Sequence, residues 1–308
     1  MRKLLVTVLV CSVVFSQPLK AQNYYYYNSK YYDSPVVFEI GATVGMMNSL
    51  TDLGGKRGVG KKFIKDLRIR TIRPSYGVYL MAMYNNALGV RLEGTFGQVV
   101  GYDSILKSVA SSTFGRYERN LSFKSKISEL QLGVEVHPLF FKNYEDEEPP
   151  PISPYVVVGA SVYSFDPQAK LNGQWYSLQP LHTEGQGFAE YPDRKNYQLT
   201  QINFIAGFGV KYEINSFLNA RFEFVHRFLT TDYLDDVSKE DYIDPSLFYN
   251  YLTANQAAIA QQLYNRTNEL DPSELTYFLN TQRGDPRDKD SYFTIQLKVG
   301  VMLGRQRR

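Results

Sequence analysis

Eight segments of the sequence alternate between apolar and polar residues, and no other property limits the fold so narrowly. The first segment, between Val36 and Met47, sets Phe38 and Ile40 against Glu39. Successive side chains of a strand point to opposite faces, so this period predicts a strand with one apolar face. The same pattern predicts further strands in segments 76–84, 88–96, 129–137, 155–162, 201–212, 219–228 and 293–303.

The polar faces of these strands decide what kind of sheet they form. Alternation alone also suits a soluble sheet whose apolar face is turned inward. Here, however, the polar faces mix arginine, glutamate and glycine, which is typical of a crowded interior where buried charges are paired. We therefore expect a barrel whose interior holds ten charged residues: Glu39, Arg91, Glu93, Glu129, Glu135, Lys211, Arg221, Glu223, Arg227 and Lys298.

The links between strands alternate between short and long. Short links fall at 85–86 and 215–217, and long links fall at about 48–72, 101–120, 166–197 and 229–290. Outer-membrane barrels have short periplasmic turns and longer outer loops. The sequence thus predicts an all-β fold, an eight-stranded antiparallel up-and-down transmembrane β-barrel over residues 36–304. One exception is the link from Leu139 to Ser153 with its stretch "YEDEEPPP", which we expect to be an extended, solvated spacer.

The two ends of the chain indicate export. Residues 1–22 place Arg2 and Lys3 before an apolar run, the pattern of a cleaved signal peptide, and the destination is then the outer membrane. The tyrosine-rich segment 23–35 has no period and is expected to be a flexible periplasmic arm. Residues 305–308 are expected to form a short basic tail.

Composition excludes several classes of function. The single cysteine, Cys11, lies in the predicted signal peptide, which excludes disulfides and thiol chemistry from the mature chain. After that segment no uninterrupted apolar run reaches about 18 residues, which argues against a membrane protein built from helices. A net charge of only +3 does not indicate the strongly basic surface that is typical of nucleic-acid-binding proteins.

The long link 232–290 loses the two-residue period. Its stretch "LFYNYLTANQAAIAQQLYN" is rich in leucine, alanine and glutamine, and Asp271-Pro272-Ser273-Glu274 resembles a helix start. We predict two short helices inside this last outer loop.

The residues give no convincing catalytic, cofactor or metal site. Ser177, His182 and Glu184 are close in sequence, but they lie in a glycine-containing loop without the pattern around a nucleophilic serine. The acidic stretch 232–244 lacks the spacing of a calcium loop, so calcium is the lesser alternative to a solvated loop. The basic stretch "GGKRGVGKK", 54–62, favours contact with anionic lipopolysaccharide head groups over a phosphate-binding loop.

Two outer-loop motifs carry a resemblance. "FDPQAKLNGQWYSLQPLHTEGQG" and, after another strand pair, "TTDYLDDVS" resemble a family of Bacteroidota outer-membrane β-barrels that includes PorG-like components of the type IX secretion system. The resemblance implies a barrel beside the periplasmic ring and translocon proteins of that system. The expected interaction residues lie in these motifs: Trp175, Tyr176, Leu178, His182, Glu184, Asp232, Tyr233, Asp235 and Asp236.

The expected function is therefore a structural or assembly role in the outer membrane. The expected partners around the barrel are outer-membrane lipids and lipopolysaccharide. Eight strands enclose a lumen just wide enough for side chains, which argues against open diffusion. Alternatives remain a narrow channel or small-ligand carrier, a surface adhesin, and a membrane-embedded enzyme acting on lipids. The last lacks an indispensable polar cluster in the sequence.

Overall fold

A computed structural model describes residues 25–28, 31–53, 69–109, 117–142, 149–239, 241–270, 283–286 and 289–307. Within these ranges eleven strands form one sheet. The strands are β1 (Tyr25–Asn28), β2 (Tyr31–Leu50), β3 (Arg73–Tyr84), β4 (Leu88–Tyr102), β5 (Ser122–Val136), β6 (Ile152–Ser164), β7 (Pro167–Leu171), β8 (Gln174–Ser177), β9 (Thr200–Glu213), β10 (Leu218–Leu229) and β11 (Ser291–Arg307).

Eight of these strands close into a barrel, which confirms the predicted fold class. The order β4-β3-β2-β11-β10-β9-β6-β5 is completed by pairing of β4 with β5, and every pair is antiparallel. Closure leaves no unpaired barrel edge, as a sheet inside a bilayer requires. The predicted tight turn between β3 and β4 is present, with Asn85 and Asn86 both at positive φ (50° and 56°).

The outer surface of the barrel carries a belt of exposed apolar side chains. Phe38 is 56% exposed and Phe208 is 61% exposed, values that a soluble protein would not repeat around its whole circumference. The belt includes, among others, Ile40, Val44, Tyr76, Val78, Leu80, Val90, Leu92, Leu130, Leu132, Val158, Ile202, Phe204, Phe222, Leu297, Val299 and Leu303.

Glycines on the inner face make room for large side chains. A Cβ added to Gly300 would overlap both the Glu39 carboxylate and the Tyr79 hydroxyl, whereas a Cβ on the outward-facing Gly94 would meet only Phe96, at 4.0 Å. The inner face is therefore filled to the point where a methyl group does not fit at Gly300.

We expect Gly300→Val to lower the free energy of unfolding by about 1–3 kcal/mol, the usual cost of overpacking. Urea unfolding of the barrel in phospholipid vesicles measures this loss. The matched variant Gly94→Val is expected to change it by less than about 0.5 kcal/mol. Equal losses in the two variants would contradict the packed inner face.

The outer loops carry regular structure of their own. Short 3-10 turns lie at Ile69–Thr71, Asp103–Val109, Gln179–Leu181, Pro245–Leu247 and Thr267–Glu269, and another follows β5 at the opposite end, Pro138–Phe141. Helices α1 (Phe248–Tyr251) and α2 (Ala254–Tyr264) confirm that the last loop contains short helices. The α2 helix begins at Thr253, which forms a capping box with Gln256. The second predicted helix, which starts at Asp271-Pro272-Ser273-Glu274, begins outside the described residues.

Strand pairing is present at the chain ends, in the segments that the sequence assigns to a flexible arm (23–35) and a basic tail (305–308). β1 pairs with the start of β2, and β2 pairs from Tyr31 onward with the end of β11, including Arg305 and Arg307. Tyrosine favours strands, and the two long strands extend past the apolar belt, so each provides a pairing edge for the other. The predicted signal peptide, most of the "YEDEEPPP" stretch and the "GGKRGVGKK" stretch lie outside the described residues.

Candidate functional site

The ten charged side chains predicted for the interior are all buried inside the barrel. Arg91 on β4 lies at the centre of the network. Its guanidinium contacts the carboxylates of Glu93 (3.0 Å), Glu223 (2.6 Å) and Glu135. Lys298 on β11 lies beside it and contacts Glu93 and, at 2.8 Å, Glu223. One group of charges thus ties together strands on opposite sides of the barrel.

Arg221 extends this network toward the periplasmic end. Its guanidinium contacts Glu39 and Glu135, each at 2.7 Å. The Tyr79 hydroxyl donates to Glu39, and the Tyr155 hydroxyl donates to Glu223 at 2.8 Å. A separate pair toward the outer end joins Arg227 to Glu129 at 3.0 Å, and Ser161 donates to the same carboxylate at 2.6 Å. Each carboxylate therefore has a cation and at least one further donor.

Two members of the interior were missed by the sequence reading. Glu213 contacts Lys211 at 2.8 Å and Arg305 at 2.9 Å near the periplasmic mouth. Glu213 follows Lys211 by two residues and so shares its face, but the predicted strand ended too early. Arg305 faces inward because the β2–β11 register shifts between Leu303 and Arg305, where Gly304 has φ of 107°.

With these two residues the described interior is electrically neutral. Six carboxylates face six cations, and none of the twelve residues is more than 8% exposed. The carboxylates are Glu39, Glu93, Glu129, Glu135, Glu213 and Glu223, and the cations are Arg91, Lys211, Arg221, Arg227, Lys298 and Arg305. These paired, buried side chains form a polar core in the part of the lumen nearer the periplasm.

The outer half of the lumen is apolar instead. Phe123, Ile127, Tyr163 and Tyr292 pack there with residues from the loops above, such as Leu234. Tyr163 stacks on Phe165 at 5.5 Å, and Phe165 stacks on Tyr197 at 6.1 Å. The loops therefore continue the barrel core outward as an ordered cap, whose second apolar cluster surrounds Phe188, Phe248 and Leu263.

The two motifs that carry the family resemblance contact each other in this cap. Glu184 accepts hydrogen bonds from the backbone N–H groups of Ser238 (3.0 Å) and Lys239 (3.1 Å). Thr183 donates to the Asp236 carboxylate, which also accepts from the Tyr197 hydroxyl at 2.7 Å. The motifs thus form one structural unit, although the contacting residues Thr183 and Asp236 are 53 positions apart.

Arg283 links this unit to the end of the last loop. Its guanidinium forms an ion pair with Glu184 and donates to the Asp236 carbonyl (3.0 Å) and to Thr183 Oγ1 (3.2 Å). Arg119 acts similarly beside it: it donates to the Arg283 carbonyl, holds both oxygens of Asp103, at 2.8 and 3.0 Å, and donates to the Asp52 carbonyl. Two buried arginines therefore fasten four loops.

The residues expected to contact partners are divided between the cap surface and its interior. Trp175 is 42% exposed, in the hairpin formed by β7 and β8. Tyr176, His182, Asp232 and Tyr233 are half-buried, and the Tyr233 ring stacks on Tyr197 at 4.6 Å. The others are buried and hold the loops together: Leu178, Glu184, Asp235 and Asp236.

The Ser177, His182 and Glu184 side chains do not form a catalytic arrangement. The Ser177 hydroxyl donates to Asp166 at 3.0 Å, and Glu184 is engaged by Arg283. Within the described residues, no three histidine, cysteine or acidic side chains are arranged to hold a metal ion. The Glu240 side chain of the acidic stretch lies outside that part of the chain.

A group of carboxyls lies at the mouth of the barrel, where several loops meet. Asp235 accepts from the backbone N–H groups of Leu53 and Val237, both at 3.0 Å, and Asp290 accepts from Leu234 at 2.8 Å. Burial, followed by the charge of Asp52, raises the pKa of Asp235 to about 8. Burial and the same neighbour raise the pKa of Asp232 to about 8, and the pKa of Asp52 is raised by burial to about 6.

Comparison with known proteins gives similarity to solved structures only. No family model matches the chain, and no curated protein matches its sequence. The structure is similar to Ail, the attachment invasion locus protein of Yersinia pestis, solved with the heparin analogue sucrose octasulfate (12% identity, 86% of this chain and 99% of Ail, TM-score 0.34). It is also similar to the outer membrane protein OprG of Pseudomonas aeruginosa (11% identity, 87% of this chain and 95% of OprG, TM-score 0.36). A third similar structure is neisserial surface protein A (8% identity, 87% of this chain and 97% of that protein, TM-score 0.36).

Within the described residues, no helix is both long and apolar enough to cross a membrane. The closed antiparallel sheet, its apolar outer belt and its charged, buried interior are the properties of an outer-membrane barrel. The chain is an outer-membrane β-barrel protein.

Proposed function

We propose that the protein is a non-enzymatic component that supports or assembles a protein complex of the outer membrane. The observation that carries this proposal is the filled lumen, in which six carboxylates and six cations are paired and buried. Such a core links the outer cap to the periplasmic end through paired, buried side chains. The barrel then acts through its two end surfaces.

The periplasmic end offers a surface for a partner. Phe141, in the turn after β5, is 65% exposed, and Phe217, in the turn before β10, is 49% exposed. Aromatic side chains are favoured in protein interfaces as well as at the membrane surface. Following the resemblance of the two cap motifs, we propose that the partners are periplasmic ring or translocon proteins of the type IX secretion machinery.

Affinity purification of a tagged copy from detergent-solubilised outer membranes, with mass spectrometry, tests this proposal. We expect ring lipoproteins or the large translocon barrel to be recovered with the wild-type protein. The variant Phe141→Ser with Phe217→Ser is expected to lose them, whereas Tyr249→Ser, which removes a 52% exposed tyrosine from the outer cap, retains them. Recovery of the barrel alone would reject the secretion role, and steady conductance in planar bilayers would favour a channel.

A surface adhesin is the second candidate. The observation that favours it is the ordered cap, which presents Tyr249 and Tyr251 of α1 at 52% and 41% exposure. Tyrosine supplies large contact area at low entropic cost. Loss of host-surface or cell-cell attachment in Tyr249→Ser, with complex recovery unchanged, would support this function over the first.

A further inference from the structure

The outward face of the β5–β7–β8 extension carries three lysines and the only tryptophan of the chain. On β5, Lys124 and Lys126 point outward, since Phe123, Ser125 and Ile127 between and beside them are buried. Across the extension, Lys170 on β7 is paired in register with Trp175 on β8. We call these four residues the lysine–tryptophan face.

The four side chains are close together. The Lys124 ammonium lies 3.6 Å from the centre of the Trp175 ring, a cation–π contact. Lys126 and Lys170 are near enough to Lys124 for their charges to act on it, and Asp166 is the acidic side chain that acts on it. The Asp166 carboxylate itself accepts hydrogen bonds from Gln168 (2.6 Å) and Ser177 (3.0 Å). Three lysines thus lie near one carboxylate, one oxygen of which already accepts two hydrogen bonds.

The position of this face determines what could bind it. On β5 the outward residues Val134, Leu132 and Leu130 belong to the apolar belt, and Ser128 and then Lys126 and Lys124 follow toward the outer end. The face therefore begins where the apolar belt ends. An anion bound there lies at the depth of the outer-leaflet head groups, and its acyl chains can continue down the belt past Leu130.

We propose that the lysine–tryptophan face binds the phosphate groups of an outer-leaflet glycolipid. Clustered lysines supply point charges for phosphate, and a tryptophan at the membrane interface packs its ring among the head groups. Binding draws Lys124 from the indole toward the phosphate. The site anchors the β7–β8 hairpin, and with it the cap, to the membrane surface.

Trp175 reports on this site directly. It is the single tryptophan of the chain, so all tryptophan fluorescence of the protein comes from it. The experiment titrates the full-length barrel in detergent micelles with bisphosphorylated lipid A, with the dephosphorylated lipid and with inorganic phosphate. We expect a saturable change of Trp175 emission with bisphosphorylated lipid A and no comparable change with the other two.

Substitution of the lysines separates this site from general adsorption. Lys124→Gln, Lys126→Gln and Lys170→Gln are each expected to raise the half-saturating lipid concentration about fivefold, the effect of one basic residue at an anionic surface. Lys195→Gln, which removes an exposed lysine of the same outer loop that is not part of the lysine–tryptophan face, leaves it unchanged. Unaltered gel mobility of each variant without heating verifies that the barrel is folded.

Several results would overturn the proposal. One is that bisphosphorylated lipid A does not change the Trp175 emission, and another is that the Lys126→Gln and Lys195→Gln variants have equal half-saturating lipid concentrations. A third is that inorganic phosphate changes the emission as much as the lipid does, which would assign the face to free anions. A change of emission on concentrating the protein without lipid would assign it to a second copy of the chain.

Discussion

Replacing Arg91 by methionine is expected to lower the free energy of unfolding by about 3–5 kcal/mol, the largest effect of any single substitution in the barrel. Methionine has a similar length and no charge, so the change removes the cation and little volume. Glu93, Glu135 and Glu223 then remain buried around an apolar side chain. Lys298 and Arg221 partly compensate, but the single charge of Lys298 is already divided between Glu93 and Glu223, and Arg221 already pairs with Glu39.

The measurement is urea unfolding in phospholipid vesicles, followed by the gel mobility of folded and unfolded barrel. Arg266→Met is the matched control, because Arg266 pairs with Glu269 on the surface of the cap at 2.9 Å, where an ion pair contributes about 0–1 kcal/mol. A loss below about 1 kcal/mol for Arg91→Met would contradict a dry, paired lumen and would indicate that water fills it.

Neutrality of the network can be tested separately from the loss of Arg91 itself. The double variant Arg91→Met with Glu223→Gln removes one cation and one anion, so the interior remains balanced. We expect it to be more stable than Arg91→Met alone, because substitutions within one charge network are not additive. If the double variant loses the sum of the two single effects, the charges act as independent pairs.

The inward position of the charges was predictable, whereas their pairing was not. Alternation along each strand put Arg91 and Glu223 on the polar face, which is a local property of the sequence. Their contact joins residues 132 positions apart, and it depends on strand register and barrel closure, which no short pattern encodes. The partners of Glu184 in the cap were hidden for the same reason.

The strand ends were predicted too short at the outer side because the pattern reverses there. Near its periplasmic end β5 has Val134 outward and Glu135 inward, but near its outer end Lys124 is outward and Phe123 inward. The strand leaves the lipid at this point, so the polar face turns to solvent while the cap core covers the apolar one. Such a reversal of the apolar–polar alternation marks, in the sequence, the position where the strand leaves the membrane.

The carboxyls at the barrel mouth give the second large prediction, which concerns pH. In the folded state the pKa of Asp52 is raised to about 6 and those of Asp232 and Asp235 to about 8, whereas in the unfolded chain an aspartate has a pKa near 3.8. The folded cap therefore binds more protons than the unfolded one between these values. We expect the cap to be most stable near pH 4 and to lose stability as pH rises toward 8.

Asp52→Asn tests the origin of this loss. The charge of Asp52 contributes to the raised pKa of Asp232, Asp235 and Asp290. An asparagine oxygen can still accept the hydrogen bond that Asp52 receives from the Asp285 N–H at 2.7 Å. The variant is expected to stabilise the cap at pH 8 by on the order of 2 kcal/mol, since each unit of pKa shift corresponds to about 1.4 kcal/mol. At pH 4 it should change little.

Hydrogen exchange of the Leu234 and Val237 amides, which donate to Asp290 and Asp235, measures this stability locally. Rates are normalised to those of unstructured peptides at each pH. Protection should fall between pH 5 and 8.5 in the wild-type protein and fall less in Asp52→Asn. Asp244→Asn changes an exposed aspartate in the loop that contains Leu234 and Val237, and this variant should behave as wild type. Protection that rises with pH would mean that the carboxylates are ionised and that Arg119 and the backbone N–H groups outweigh their burial and mutual repulsion.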